Sequence, residues 1–238
     1  MRFSVWDLFP AAFNCPHTMQ RIGRAGDGGK WVCGLERLVD LQPSRGSVVA
    51  FSKSTIAQSD TDSRGLHQKQ LSSDTQSGCI IYSLGISVES SFEAELLHRL
   101  PSCKVWGYDF SVAEFGPQLD VTNDSGRAHF ICAGIAGKTD ESRQPPYLSI
   151  QDAMAKNGHN HIDILKVDIE GAEFDALASF VEHYKSRGLQ VPCSQILVEI
   201  HLSAKKHPTI EPVLEWWEML EAAGFRPVWT EPNLLVPM

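Results

Sequence analysis

No stretch of this 238-residue chain approaches the roughly 18 consecutive apolar residues that a membrane helix requires, and the amino terminus lacks the charged-then-apolar pattern of a secretory signal. No membrane segment is therefore expected in the chain as written, and the cytoplasm is the default compartment. Basic charge is also short. Lys and Arg number 21 against 29 Asp and Glu, a formal net charge of −8, which argues against a nucleic-acid partner because phosphate-backbone binders carry a basic face. The six cysteines include no C-x-x-C pair, which sets aside a structural zinc site. A three-glycine G-x-G-x-x-G turn is missing, which disfavours a nicotinamide oxidoreductase. No internal repeat is visible, which sets aside solenoids and propellers.

What is present fits one well-buried α/β domain. Residues 1–42 form an aromatic-rich lead-in with Trp6, Phe9, Phe13 and Trp31, expected to lie over the domain as a lid or wrap because such rings need burial. From 43 to 77 the composition turns to Ser, Thr, Gln, Asp and Lys without a sustained period, the mark of a disordered insertion. Residues 78–238 then alternate apolar strands with amphipathic helices. Strands are expected at Cys79–Leu84, Lys104–Phe110, Ala128–Ala133, Ile162–Val167 and Ser194–Ile200, with weaker candidates at Arg226–Thr230 and Leu234–Pro237. Helices are expected at Glu89–Leu100, Leu148–Lys156, Ala172–Lys185 and Ile210–Ala223. This alternation predicts a doubly wound, mostly parallel sheet with helices on both faces. Cys79, Cys103 and Cys132 read as small buried hydrophobes. Cys15 and Cys33 flank a glycine-rich segment and are able to bridge in an oxidising compartment.

The strand 162–167 runs into Asp168-Ile169-Glu170-Gly171, two acids and a glycine ahead of a helix. Ligands of open parallel sheets sit outside the carboxyl ends of the strands, so acids there face a ligand. In extended chain Asp168 and Glu170 would leave the same face, although acids in a first helical turn also simply suit the macrodipole. Glu199 and His201 repeat the arrangement after the strand 194–200. Neighbouring strands would bring the two pairs into one crevice as three carboxylates and an imidazole. Such a group offers a general base, an ammonium dock, or ligands for Mg²⁺ or Mn²⁺ through Asp168, Glu199 and His201. Asp163 is expected at the opposite edge of the sheet, and His159 and His161 in solvent.

Two further segments stand out. Ser83-Leu84-Gly85-Ile86 is a strand-to-helix turn with one glycine, and Asp109 follows Gly85 by 24 residues, close to the spacing at which an acid meets a ribose. Between Arg21 and Cys33, glycines surround Asp27 with Arg21, Arg24 and Lys30 nearby, a cationic loop suited to a carboxylate or phosphate. It also reads as a plain turn into a strand that begins near Trp31.

Leu165-Lys166-Val167-Asp168-Ile169-Glu170-Gly171-Ala172-Glu173 resembles the K-x-D-x-E-G-A-E signature of FkbM-like S-adenosylmethionine-dependent methyltransferases. Gly26–Cys33, Tyr82–Ile86 and Leu197–Leu202 resemble companion motifs of related methyltransferase-domain proteins, and the four occur in the right order. The resemblance implies a Rossmann-like class I methyltransferase fold and methyl transfer to an oxygen or nitrogen nucleophile on a small molecule, glycan or protein. It implies Ser83, Gly85, Glu89, Asp109 and Asp168 at the cofactor, with Asp168, Glu170, Glu199 and His201 at the chemistry. Arg21, Asp27, Gly28 and Lys30 are expected at the substrate. Two departures stand against it. Ala133-Gly134-Ile135 replaces the usual acid after the third strand, and the chain stops soon after Glu231-Pro232-Asn233, where relatives continue into a fuller last strand. The second departure is the pattern of a shortened form. Relatives often carry an amino-terminal anchor, so a longer form would face the secretory lumen. The rival readings are a metal-dependent nucleotide-sugar transferase, which would use Asp168 and Glu170 as an acid-x-acid pair, and a catalytically inactive binding module.

Overall fold

The computed structural model describes residues 9–39, 78–120, 126–202 and 209–231. The expected insertion at 43–77, the ring of Trp6 and the strand candidate Leu234–Pro237 lie outside the described residues. Two short strands, β1 (Met19–Ile22) and β2 (Lys30–Cys33), pair antiparallel ahead of helix α1 (Leu35–Val39). The rest alternates as β3 (Ile80–Leu84), α2 (Ser91–Arg99), β4 (Lys104–Asp109), β5 (Ala128–Cys132), β6 (Gly134–Ile135), β7 (Tyr147–Leu148), α3 (Ile150–Asn157), β8 (Ile162–Val167), α4 (Glu173–Lys185), β9 (Cys193–Val198) and α5 (Glu211–Ala222).

The main sheet has five parallel strands in the order β5-β4-β3-β8-β9. All five residues of β3 are buried, as a central parallel strand covered on both faces must be. Successive side chains feed opposite layers. Tyr82, Leu165 and Val167 pack with Met154, Leu177, Phe180, Trp216 and Leu220 of α3, α4 and α5. Ile81, Val105 and Ile164 pack with Leu96 and Leu97 of α2 and with Ile22, Val32 and Leu35 from the lead-in. Each fully buried chain of this size contributes roughly 1.5–3 kcal/mol. The expected doubly wound, Rossmann-like α/β sheet is the fold observed. β3 leads to β4 on one side and β8 lies on the other, so the strand order reverses between β3 and β8, where such folds open a crevice.

Several details differ from expectation. Leu148 ends a strand rather than beginning a helix: β7 pairs with β6, and Ser149 caps α3 by accepting from the Asp152 amide. Gly158 ends α3 at φ 73°, a left-handed stop that favours glycine. Arg226–Thr230 forms no ladder. It holds the lead-in instead: Phe13 donates its amide to the Pro227 carbonyl, and Thr230 Oγ1 donates to that of Phe9. Of the lead-in rings, Trp31 lies against Trp229 at 4.4 Å and Phe9 against Trp217 of α5 at 4.7 Å between centroids, whereas Phe13, expected to be covered, is 45% exposed.

The cysteines depart furthest. Cys79 and Cys103 are buried, but as a disulfide between the starts of β3 and β4; Cys15 and Cys33 form a second, and Cys132 is exposed. Asp163 accepts from the Ile80 amide at the amino edge of the sheet, away from the crevice as expected. His159 is not in solvent. Its Nδ1 lies 2.8 Å from the Tyr82 hydroxyl and its ring meets Trp106 edge-on at 4.2 Å, because α3 ends directly over that aromatic face. Burial holds its pKa below the ordinary histidine value.

Candidate active site

The carboxyl ends of β3, β8 and β9 are tied edge to edge. The Asp168 amide donates to Leu84 and the Glu199 amide to Val167, both at 2.9 Å. Gly85 has φ +83°, and a Cβ there would overlap the Asp168 carbonyl oxygen. Only glycine lets the two strand ends close to this distance.

Lys30 completes the cluster from outside the sheet. The Gln195 side-chain amide bonds both the amide and the carbonyl of Cys33, which lays β2 antiparallel beside β9 and brings Lys30 to the carboxyl edge. Its Nζ donates to Asp168 Oδ2 at 3.1 Å and to Glu199 Oε2 at 2.6 Å. Burial by itself would lower the Lys30 pKa; the charges of Asp168 and Glu199 outweigh it and hold the ammonium above its ordinary range. The hairpin therefore directs its lysine, expected at the substrate, onto the chain's own carboxylates.

On the other side, His201 Nε2 lies 3.7 Å from Asp168 Oδ1, 3.8 Å from Glu170 Oε2 and 3.9 Å from Glu199 Oε1. Its Nδ1 lies 3.3 Å from Oε1 of Glu173, a fully buried acid that also accepts from the amides of His201 and Gly171. The bond to Glu173 raises the His201 pKa to about 9, against burial and with help from Glu170 and Asp168. Burial alone would raise Glu173, but its bonds to His201 hold it below the ordinary carboxylate value. The contact with Glu173 thus favours the charged imidazolium, a form that donates rather than accepts a proton.

Asp168 and Glu170 do not share a face. β8 ends at Val167, and Glu170 turns out at φ +54° with its side chain 87% exposed. The left-handed conformation of a non-glycine residue costs on the order of 1 kcal/mol or more. The cluster is thus Lys30, Asp168, Glu199 and His201, with Glu170 at its margin.

The other expected residues serve the turn itself. Ser83 is fully buried and donates to Glu93, beneath the crevice rather than in it. Lys166, also buried, donates to the Gly85 carbonyl at 2.5 Å and pairs with Glu93 at 3.7 Å. Asp109 takes four hydrogen bonds, with Oδ2 accepting from the amides of Ile86 and Ser87 and Oδ1 from the amide and hydroxyl of Ser111. Burial opposes its ionisation, but these bonds prevail and lower its pKa. Four acceptances fill a carboxylate, so a bidentate ribose contact would require Ser111 to release Oδ1. Glu89 accepts from the Ser91 amide and pairs with Arg24 at 2.9 Å. Gly28 packs against the Glu89 side chain, Arg21 donates to the carbonyls of Arg24 and Gly26, and Asp27 is exposed at the loop tip.

Sequence reasoning missed Glu173, Lys166 and Glu93 as supports, although the first two stand inside the signature already singled out. It also passed over Phe110, whose ring is 52% exposed beside the crevice and 5.5 Å from Tyr147. A hollow of about 690 Å³ opens beyond it, lined by Lys138, Arg143, Tyr147, Asp175 and Ser179 among others. None of the cluster lies there, and chemistry outranks size in choosing the site.

Residues 2–236 match the methyltransferase-domain family. The chain belongs to it. No curated protein and no solved structure matches the chain. The methyltransferase domain thus spans nearly the whole sequence, with the Lys30 hairpin included, and methyl transfer is the activity its family supports.

Proposed function

We propose that this methyltransferase domain transfers a methyl group from S-adenosylmethionine to an oxygen or nitrogen nucleophile, a reading supported by the resemblance of residues 165–173 to the FkbM-like signature. The observation that supports the reading is the carboxylate of Asp168 at the carboxyl end of β8, where the backbone of that strand end closes against the Gly85 turn. The residues fit that cofactor. Gly85 and Asp109 stand at the ends of neighbouring strands, and Phe110 is 52% exposed beyond them. When bound, S-adenosylmethionine supplies an electrophilic methyl on a cationic sulfur. The chain's own part is to line up the nucleophile and take its proton, and Asp168 Oδ1 is the acceptor we assign. Lys30 fixes Asp168 through the other oxygen. The two disulfides support an oxidising compartment over the cytoplasm.

The nucleotide-sugar reading needs Asp168 and Glu170 on one face, and the outward turn of Glu170 counts against it. Calorimetric titration with S-adenosylmethionine, S-adenosylhomocysteine and NAD tests the proposal. Binding of the first two, weakened by Asp109→Ala through loss of the turn it braces, is the expected result. Tight NAD binding with no response to S-adenosylhomocysteine would overturn it. Cofactor binding with no transfer to any acceptor pool would instead mark an inactive module.

A further inference from the structure

We propose that Lys166 is a positioning residue for cofactor binding, holding the Gly85 carbonyl so that the turn after β3 keeps the shape that receives S-adenosylmethionine. The inference rests on the cofactor reading above and adds to it a buried side chain beneath the crevice. On the face that α2 covers, β3 and β8 present Ile81 and Ile164 to an apolar layer. Two residues further along, the same face carries Ser83 and Lys166, which stand opposite one another in the ladder. Glu93 of α2 meets both, accepting from the Ser83 hydroxyl and pairing with Lys166 at 3.7 Å. The layer thus turns polar in its last row, directly beneath the turn.

That row is a poor device for stability. All three side chains are buried, and Glu93 Oε2 has no hydrogen-bond partner among the described residues. Apolar side chains of similar volume often hold a fold at least as well as a buried ion pair. The geometry serves the turn instead. Lys166 Nζ donates to the Gly85 carbonyl at 2.5 Å, the Gly85 amide donates to the Tyr108 carbonyl at 2.9 Å, and Asp109 accepts from the amides of Ile86 and Ser87. Tyr108 and Asp109 belong to β4; Lys166 fixes the turn from β8, the strand that leads to Asp168. With its carbonyl freed, Gly85 would sample more conformations, since glycine is the least restricted residue, and binding would carry the cost of ordering them. The competing account is that the pair only supports the fold.

Calorimetric titration of the full chain with S-adenosylhomocysteine, alongside urea unfolding, separates the two. Lys166→Met with Glu93→Met replaces the pair by apolar side chains, and a triple variant adds Ser83→Ala to remove the hydroxyl left without its acceptor. At least one of them should unfold near the native urea midpoint. It should nevertheless bind S-adenosylhomocysteine roughly 10- to 100-fold more weakly, the change expected for loss of one hydrogen bond from a charged group. Amide exchange at Ile86 and Ser87, read by NMR without cofactor, should quicken in the same variant while that of Val105 in β4 stays native. Native affinity in a variant of native stability overturns the proposal, as does weakened binding with unchanged exchange at both amides. Failure of both variants to regain stability also overturns it, since the pair would then be a requirement of the fold. Absence of S-adenosylhomocysteine binding by the unmodified chain overturns the cofactor reading and this inference with it, whereas binding that the variants keep overturns this inference alone.

Discussion

Removing the Lys30 ammonium leaves Asp168 and Glu199 facing one another without the cation that bonds both. Lys30→Met should therefore destabilise the fold by about 1–3 kcal/mol, the cost of leaving half-buried charged partners unmatched, measured by urea unfolding. It should also lower methyl transfer, since Asp168 loses the contact that fixes its orientation. Asp168→Asn tests the chemistry more directly. Transfer should fall to background with S-adenosylhomocysteine affinity largely intact, and retained turnover would remove Asp168 from the mechanism. At Gly85 the argument is steric. An alanine meets both a φ of +83° and the Asp168 carbonyl, so Gly85→Ala should abolish cofactor binding even where the chain still folds. None of these roles follows from residue type alone. A lysine amid glycines reads as a ligand grip until the hairpin is seen to lie against β9.

The turn after β3 rests on a buried ion pair. Lys166 and Glu93 have side-chain exposures of 4% and 0%, and removing one partner strands the other. Lys166→Met should cost about 3–5 kcal/mol, whereas the double change Lys166→Met with Glu93→Met should recover most of it, because apolar pairs often replace buried ion pairs without loss. Unfolding of the two single variants and the double variant reads this coupling. The hairpin that carries Lys30 depends on a different device. The Cys15–Cys33 bond closes a separation of 18 residues, so replacing both with serine should lower the unfolding free energy by about 3 kcal/mol. Alkylation of the native, unreduced protein should label Cys132 and spare buried Cys193. The strands and helices of the parallel sheet were legible from their apolar periods. β1 was not, since Met19-Gln20-Arg21-Ile22 is too short and polar to show a period.

Across the whole molecule the shifted groups set a pH window. Asp109 and Glu173 have pKa values below their ordinary ones, so their stabilisation is present above the unfolded range near roughly pH 4 and is lost as pH falls further. His201 is raised to about 9, so its contribution is complete below the unfolded value near roughly 6.5 and disappears as pH rises through about 9. Stability measured by urea midpoint should decline on both flanks. Glu173→Gln should flatten both limbs together, because the two groups are one pair.

The order of apolar runs, turn glycines and polar strand ends determined by itself that this chain builds a doubly wound parallel sheet with acids at its carboxyl edge. Those features are local, and backbone geometry alone turns them into strands, helices and their faces. Tertiary structure decided which acids act together. Glu170, two residues from Asp168, turns away at a left-handed φ, while Lys30, distant in sequence, reaches both Asp168 and Glu199. Charge pairing across a fold depends on where separate elements dock, and β2 docks against β9 through the Gln195 amide, a contact that no period in the sequence announces.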